Sequence, residues 1–170
     1  MKLHETDQRL SVVCRVIEVR TQNVRDLAML ELSVILLDNF DSLPEAKLRA
    51  TILRDAAAYR PSDRKILINA STFLHLSDDV SAAVLMHEVA HAVCQRDSIR
   101  KKDPILGIPV SEEIIADLLV CQWGFFVDLM KERLISFGSQ YCEILKRWPD
   151  EDEFIGRMTV WNQQRLAGIR

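Results

Sequence analysis

The amino-acid sequence predicts an α+β fold in which a small, mainly antiparallel sheet or β-hairpin packs on one long helix and a predominantly helical C-terminal half follows. Two short stretches with strand character flank the turn signal of residues 60–64. A long stretch of helical periodicity comes next, at residues 79–95, and further amphipathic stretches follow residue 124. These observations predict one domain, residues 1–170, with an N-terminal segment (1–47), a core (48–124) and a helical C-terminal segment (125–170).

The composition is that of an ordinary globular protein. The 170 residues carry a net charge of −3 and 48% of them are hydrophobic, so no basic excess indicates a nucleic-acid partner. The longest apolar runs are too short to span a bilayer, and the N-terminus (MKLHETD) lacks the apolar core of a signal peptide. Four scattered cysteines without a C-x-x-C pair do not indicate a disulfide framework. We therefore expect a cytoplasmic protein that binds neither nucleic acid nor membranes.

The elements before the long helix are taken in order. Residues 9–20 fit a strand by their β-branched content, and a helix by their apolar spacing. Residues 22–40 carry a wide apolar stripe at helical spacing, which predicts a helix packed on the core. Residues 48–59 and Lys65–Asn69 are predicted to be the two arms of a β-hairpin, of which the second is covered on both faces.

Helices account for the rest of the predicted structure. Residues 77–79 (Ser-Asp-Asp) supply a cap and negative charge for a helix over residues 79–95. A charged connection at residues 96–109 leads to a second helix, which Ser111 opens and Gly124 ends or bends. Three further amphipathic helices are predicted, at residues 126–135, 137–147 and 150–166.

The long helix contains the pentapeptide HEVAH, residues 87–91. Residues four apart lie on one face of a helix, so His87 and His91 project side by side and can grip one metal ion, usually zinc. Glu88 is rotated by about 100° from His87, which places it beside the metal as a general base that takes a proton from water. The neighbours of these three residues are uncharged, as a buried metal-binding helix requires. The pentapeptide therefore predicts a zinc site on a buried helix.

A catalytic zinc ion needs a third protein ligand, and the sequence offers two candidates. Glu113 lies near the start of the second helix, with Asp117 one turn further on the same face, where it can accept the second N–H of a ligand histidine. Asp97 is the alternative, but it needs a sharp turn at Cys94, where a glycine would suit a positive φ better. Glu113 is favoured and Asp97 stays open. Glu112 is interpreted as an acid that favours the helix dipole.

HEVAH followed on the next helix by E-x-x-x-D (Glu113 and Asp117) resembles the gluzincin branch of zinc metallopeptidases, in a compact, minimal form. The resemblance covers about residues 48–124 and implies a zincin-like fold with one zinc ion per chain. The implied zinc ligands are His87, His91 and Glu113. Asp117 would hold a ligand histidine from behind, and Glu88 would act as general base and acid.

The activity that the resemblance implies is hydrolysis of peptide bonds by a metal-activated water. In this family a strand before the metal helix pairs with an extended peptide substrate, which would give that role to Lys65–Asn69. The donor that stabilises the oxyanion is not obvious, because no histidine follows His91. Tyr59, Tyr141 and His75 are the candidates for that donor.

Two other functions stay open beside the peptidase. One is a metal-stabilised but catalytically silent protein-interaction or regulatory module on the same fold, against which the intact Glu88 argues. The other is a zinc hydrolase of non-peptide amides, which would use the same ligand set. The expectation from the sequence is a zinc metallopeptidase that acts on a peptide or protein substrate.

Overall fold

The structure, a computed structural model, describes residues 1–40, 43–97, 112–125 and 128–129. Within these ranges four strands form one sheet: β1 (Lys2–Glu5), β2 (Glu31–Leu37), β3 (Ala57–Arg60) and β4 (Lys65–Asn69). Five α-helices are described: α1 (Ser11–Thr21), α2 (Ala46–Asp55), α3 (Ala70–Phe73), α4 (Asp78–Arg96) and α5 (Glu112–Val120). Short 3₁₀ turns occur at Gln8–Leu10 and Arg25–Leu27, and a π-helical turn, Cys121–Phe125, follows α5. The fold is mixed α+β, as predicted.

The sheet has the strand order β1-β2-β4-β3. β1 pairs with β2 and β2 pairs with β4 in parallel, whereas the β3–β4 hairpin is antiparallel. The prediction of a mainly antiparallel sheet is therefore wrong, although the predicted hairpin is present. Parallel strands are joined by a helical crossover rather than by a tight turn, so the β1–α1–β2 unit leaves no local turn signal in the sequence.

The hairpin determines which strand has a free edge beside α4. β4 is hydrogen-bonded to β2 on one side and to β3 on the other, so its backbone cannot pair with another chain. The expectation that Lys65–Asn69 would pair with a substrate is therefore wrong. Among the strands described, β3 is the one that ends the sheet on this side.

Residues 22–40 do not form the predicted helix. They contain the 3₁₀ turn Arg25–Leu27 and the inner strand β2. Leu32 and Val34 are buried on one face of β2, and Ile35 and Leu37 pack on the other. A strand that is covered on both faces is apolar at consecutive positions, and that pattern also fits a wide helical stripe. Periodicity alone does not separate the two cases.

Residues 48–59 form most of a helix and a short strand rather than one long strand. α2 is followed by Ala56 in a left-handed conformation, with φ of 65°, and β3 begins at Ala57. The predicted first arm of the hairpin is thus wrong except for its last residues. Leu48 and Ile52 lie one turn apart on α2 and pack on the sheet, and this spacing is the helical signal of the segment.

Other segments follow the sequence more closely. The ambiguous stretch at residues 9–20 is mainly α1. The helix predicted at residues 79–95 is α4, which is one residue longer at each end and has Ser77 as its N-cap. Ser111, most of the connection at residues 96–109 and the helices predicted at 126–135, 137–147 and 150–166 lie outside the described residues, apart from residues 128–129.

Two apolar layers cover the sheet and place α4 at the centre of the molecule. The larger layer joins the sheet to α1, α4 and α5, and the smaller one joins it to α2. Residues 80–90 of α4 are all buried, because the sheet, α1 and α5 surround this helix. None of the described helices has the length and apolar character needed to cross a membrane.

Candidate metal centre

Two neighbouring helices bring three ligand-type side chains together. His87 and His91 lie one turn apart on α4, and their Nε2 atoms are 3.1 Å apart. The Oε2 atom of Glu113, from the first turn of α5, lies 3.0 Å from Nε2 of His87 and 3.5 Å from Nε2 of His91. Among the described residues, these three form a group that can hold a metal ion. The structure therefore assembles the three residues that the sequence singled out as ligands.

Asp117 fixes the orientation of the first histidine. Nδ1–H of His87 donates to Oδ1 of Asp117 over 2.7 Å, and both side chains are largely buried. A proton on Nδ1 leaves Nε2 with a free lone pair, which is the form that binds a metal. Asp117 follows Glu113 by one turn of α5, so one helix supplies both carboxylates to opposite nitrogens of one ring.

Glu112 has a role that the sequence analysis missed. Its Oε1 atom accepts a hydrogen bond from Nδ1–H of His91 over 3.2 Å, so its interpretation as a dipole-favouring acid is incomplete. The second histidine is thereby oriented in the same way as the first. Sequence spacing did not reveal this contact, because it depends on how α5 crosses α4 rather than on a periodicity within one helix.

The electrostatics of the group favour a cation. When both Nδ1 atoms carry their protons, the two Nε2 atoms and the Glu113 carboxylate are three hydrogen-bond acceptors that face one another. When a ring carries a proton on Nε2 instead, it donates to the Glu113 carboxylate, and such hydrogen bonds from His87 and then from His91 hold the pKa of Glu113 well below its ordinary value. Burial lowers the pKa of His91, but the neighbouring Glu113 and Glu88 outweigh this effect and raise it. Positive charge is therefore stabilised where these atoms meet, and a bound metal ion could supply it.

Glu88 is held beside this group without belonging to it. Its carboxylate is buried and accepts a hydrogen bond of 2.6 Å from the backbone N–H of Tyr59 on β3. This hydrogen bond connects the Glu88 side chain to β3, the edge strand of the sheet. Sequence analysis could not find it, because a backbone donor has no side-chain signature.

The group is open to solvent on one side. The side chains of His87 and His91 are 9% and 14% exposed, whereas that of Glu113 is 69% exposed. A metal ion held by these ligands would be reached by water from the side of Glu113. A catalytic metal site requires access of this kind, whereas a structural site is closed.

The remaining candidates from the sequence lie at different distances from the group. The Tyr59 hydroxyl donates to Oε1 of Gln95 over 3.0 Å, one turn beyond His91 on α4, and burial raises its pKa. His75 is exposed and lies in the loop before α4. The first residue of α4, Asp78, is about 14 Å from His87 along the helix axis, so His75 is near the opposite end of this part of the helix. Tyr141 lies outside the described residues.

Asp97 is not brought to the histidines. α4 continues without a break through Cys94 to Arg96, and Asp97 caps its end. The Asp97 carboxylate lies 2.6 Å from Nε of Arg96. The turn that a ligand at this position requires is absent from α4, so Glu113 is the acid that meets the two histidines.

Comparison of the chain with protein-family models, with curated proteins and with solved structures found no match of any of the three kinds.

Proposed function

We propose that the protein is a zinc-dependent metallopeptidase of the compact gluzincin type. The observation that carries this proposal is the convergence of His87, His91 and Glu113 on one point, with Glu88 held beside them. The gluzincin resemblance of the sequence adds the zincin-like architecture to the proposal.

The spacing of the ligand atoms supports zinc. Zinc bonds of about 2.0–2.1 Å in a tetrahedron place two ligand atoms about 3.3 Å apart. The three separations here are 3.0, 3.1 and 3.5 Å, so an ion fits with small adjustments of side-chain torsions. Two histidines and one glutamate leave the fourth position to water, and the bound zinc supplies a Lewis acid.

Glu88 is the residue that moves the proton in this proposal. It takes a proton from the attacking water and delivers it to the leaving amine as the peptide bond breaks. The hydrogen bond from the Tyr59 backbone fixes the carboxylate during both transfers, because a backbone donor in a strand does not rotate away. The Tyr59 hydroxyl is retained as the candidate oxyanion donor among the described residues.

The free edge of β3 favours a peptide over other amides. Asn69 N–H donates to the Ala56 carbonyl over 2.8 Å, so the antiparallel alternation turns the backbone groups of Ala57 and Tyr59 away from β4. The Tyr59 N–H accordingly reaches Glu88. An extended peptide that pairs with the outward backbone groups of Ala57, beside the Tyr59 N–H that Glu88 occupies, would run directly past the general base.

Zinc analysis and an unbiased peptide library test the proposal together. The protein purified with zinc present is expected to hold about one zinc ion per chain and to cleave library peptides, read as new termini by mass spectrometry. Glu88→Gln should keep the zinc and lose at least about 10²-fold in turnover, because it removes the base without removing a ligand. Glu31→Gln, an exposed glutamate on β2, is the matched control and should change neither.

Three outcomes would contradict the proposal in different ways. Absence of zinc would remove the metal site itself. Full zinc occupancy without cleavage of any peptide would favour the catalytically silent module. Unchanged turnover in Glu88→Gln would remove Glu88 from the mechanism while leaving the metal site intact.

A further inference from the structure

Tyr59 is bonded to α4 at two places, two helical turns apart. Its backbone N–H donates to Oε2 of Glu88 over 2.6 Å, and its hydroxyl donates to Oε1 of Gln95 over 3.0 Å. Glu88 and Gln95 lie on the same face of α4, about 10 Å apart along the helix axis, and His91 lies between them. Tyr59 therefore runs along the turn of α4 that carries the second histidine of the candidate metal centre.

The hairpin directs the Tyr59 ring to this face of α4. Tyr59 is paired with Ile66 of β4, and directly opposite residues of an antiparallel pair project from the same face of the sheet. Ile66 is buried in the larger apolar layer, which includes α4, and Tyr59 packs against that layer. The ring is thereby anchored, and the hydroxyl reaches the exposed Gln95.

The Tyr59 hydroxyl has one proton, which in this hydrogen bond points to Gln95. Burial raises the pKa of Tyr59, so the hydroxyl keeps its proton at neutral pH. While the Gln95 carbonyl oxygen accepts this proton, an oxyanion cannot use it. Tyr59 can therefore stabilise an oxyanion only after its bond to Gln95 is released or reversed.

Gln95 can reverse this bond without releasing the hydroxyl. Its side-chain amide has an oxygen that accepts and an NH₂ group that donates, and a half turn about the last torsion exchanges the two. Gln95 is exposed, so the rotation does not disturb the core. When the amide N–H donates to the Tyr59 oxygen, the phenolic proton is free for another acceptor.

We propose that Gln95 is a positioning residue that switches the Tyr59 hydroxyl between two states. In the resting state the Gln95 oxygen accepts the phenolic proton. In the catalytic state the Gln95 N–H holds the phenolic oxygen, and Tyr59 donates to the oxyanion that forms when water attacks the peptide carbonyl. The proton stays on Tyr59 throughout and only its hydrogen-bond partner changes. This inference rests on the proposed peptidase function and adds the residue that controls its oxyanion donor.

Two substitutions distinguish this switch from a simple anchor for the ring. Gln95→Glu keeps the shape but only accepts, so it retains the Tyr59 proton, and Gln95→Met has a similar length without the amide. On a peptide that the zinc-loaded native protein cleaves, kcat should fall about tenfold in Gln95→Glu, because a charged acceptor holds the proton more strongly. Gln95→Met should lower kcat only about two- to threefold. The opposite order, with methionine the more damaging, would show an anchor and overturn the proposal.

A double-mutant cycle tests whether the effect of Gln95 passes through the hydroxyl. Tyr59→Phe should lower kcat about 10²-fold, and Gln95→Glu should have no further effect in that background. A tenfold loss that persists without the hydroxyl would assign the effect to the added charge and refute the proposal. Gln8→Glu is the matched control, because it makes the same change at an exposed residue beyond β1, at the opposite edge of the sheet from β3. It should leave kcat unchanged.

Binding of a transition-state analogue supplies a readout that does not depend on turnover. A phosphinic analogue of the cleaved peptide presents a tetrahedral oxyanion, and its Kd, measured by calorimetry, should rise at least about tenfold in Tyr59→Phe and about tenfold in Gln95→Glu. Zinc affinity should not change in either variant. An unchanged Kd in both variants would overturn the switch while leaving the peptidase intact. Failure of the native protein to cleave any peptide would instead overturn the proposed function, and the switch with it.

Discussion

Replacing the carboxylates behind the two histidines should weaken zinc binding in a defined order. Asp117→Asn keeps the size of the side chain and a carbonyl oxygen near Nδ1 of His87, but it removes the negative charge. A hydrogen bond to a charged partner contributes about 1.5–3 kcal/mol and a neutral one about 0.5–1.5 kcal/mol. The difference of about 1–1.5 kcal/mol corresponds to about tenfold weaker zinc binding, the lower end of the range for such outer partners.

Glu112→Gln should have a smaller effect for two structural reasons. Its bond to His91 is 3.2 Å long, against 2.7 Å for the Asp117 bond. Its side chain is 38% exposed, against 12% for Asp117, so water screens its charge. A loss of about 0.5 kcal/mol, or about two- to threefold in zinc affinity, is expected. Glu113→Ala removes a ligand and should weaken binding more than either.

Competition with a chromophoric chelator measures all of these affinities at one fixed pH, which matters because metal binding releases protons. Asp97→Asn serves as the control and should bind zinc as the native protein does. A larger loss in Glu112→Gln than in Asp117→Asn would refute the reasoning from distance and burial. A loss in Asp97→Asn that exceeds the loss in Glu113→Ala would refute the ligand assignment.

Three further predictions concern the scaffold. Arg64→Gly should raise the free energy of unfolding by about 0.5–1 kcal/mol in urea titrations, because Arg64 has φ of 57° and is exposed; a destabilised variant would contradict this. Arg60, and then Lys65, hold the pKa of Asp63 at about 2, below its unfolded value, so this stabilisation is complete above about pH 4 and is lost as the pH falls towards 2. The stability difference between the native protein and Asp63→Asn should therefore shrink between pH 5 and pH 2.5, and a constant difference would exclude the ion pairs as its source. Burial raises the pKa of Cys14 to about 12, so iodoacetamide at pH 8 should label Cys14 only after unfolding, and rapid labelling of the native chain, read by mass spectrometry, would show that it is accessible.

The parts of the fold that follow from sequence are those with local signals. α4 has Ser77 as its N-cap and two aspartates in its first turn, and a Pro-Ser-Asp turn joins β3 to β4, so both were predictable. β2 was not, because its two covered faces make it apolar at consecutive positions. The start of β3 was also hidden, since the turn at Ala56 has a positive φ without a glycine to signal it.

The residues of the candidate site likewise separate into those with a local sequence signal and those without one. The spacing of His87 and His91 is a property of one helix, and it was enough to predict that their side chains lie side by side. Glu113 and Asp117 follow from a second helical spacing, once the two helices are assumed to meet. The contact of Glu112 with His91 depends on the crossing of α5 over α4, and tertiary packing of this kind has no periodicity within one element.

X-ray absorption at the zinc edge on the purified, zinc-loaded protein tests the central claim most directly. Two imidazole nitrogens and carboxylate and water oxygens should give a first shell at about 2.0–2.1 Å, with the imidazole signature present and no sulfur at about 2.3 Å. In Glu113→Ala one protein oxygen should be lost from this shell while both imidazoles stay. A sulfur contribution, which Cys94 on α4 itself would supply, or a shell with fewer than two imidazoles would contradict the centre of His87, His91 and Glu113.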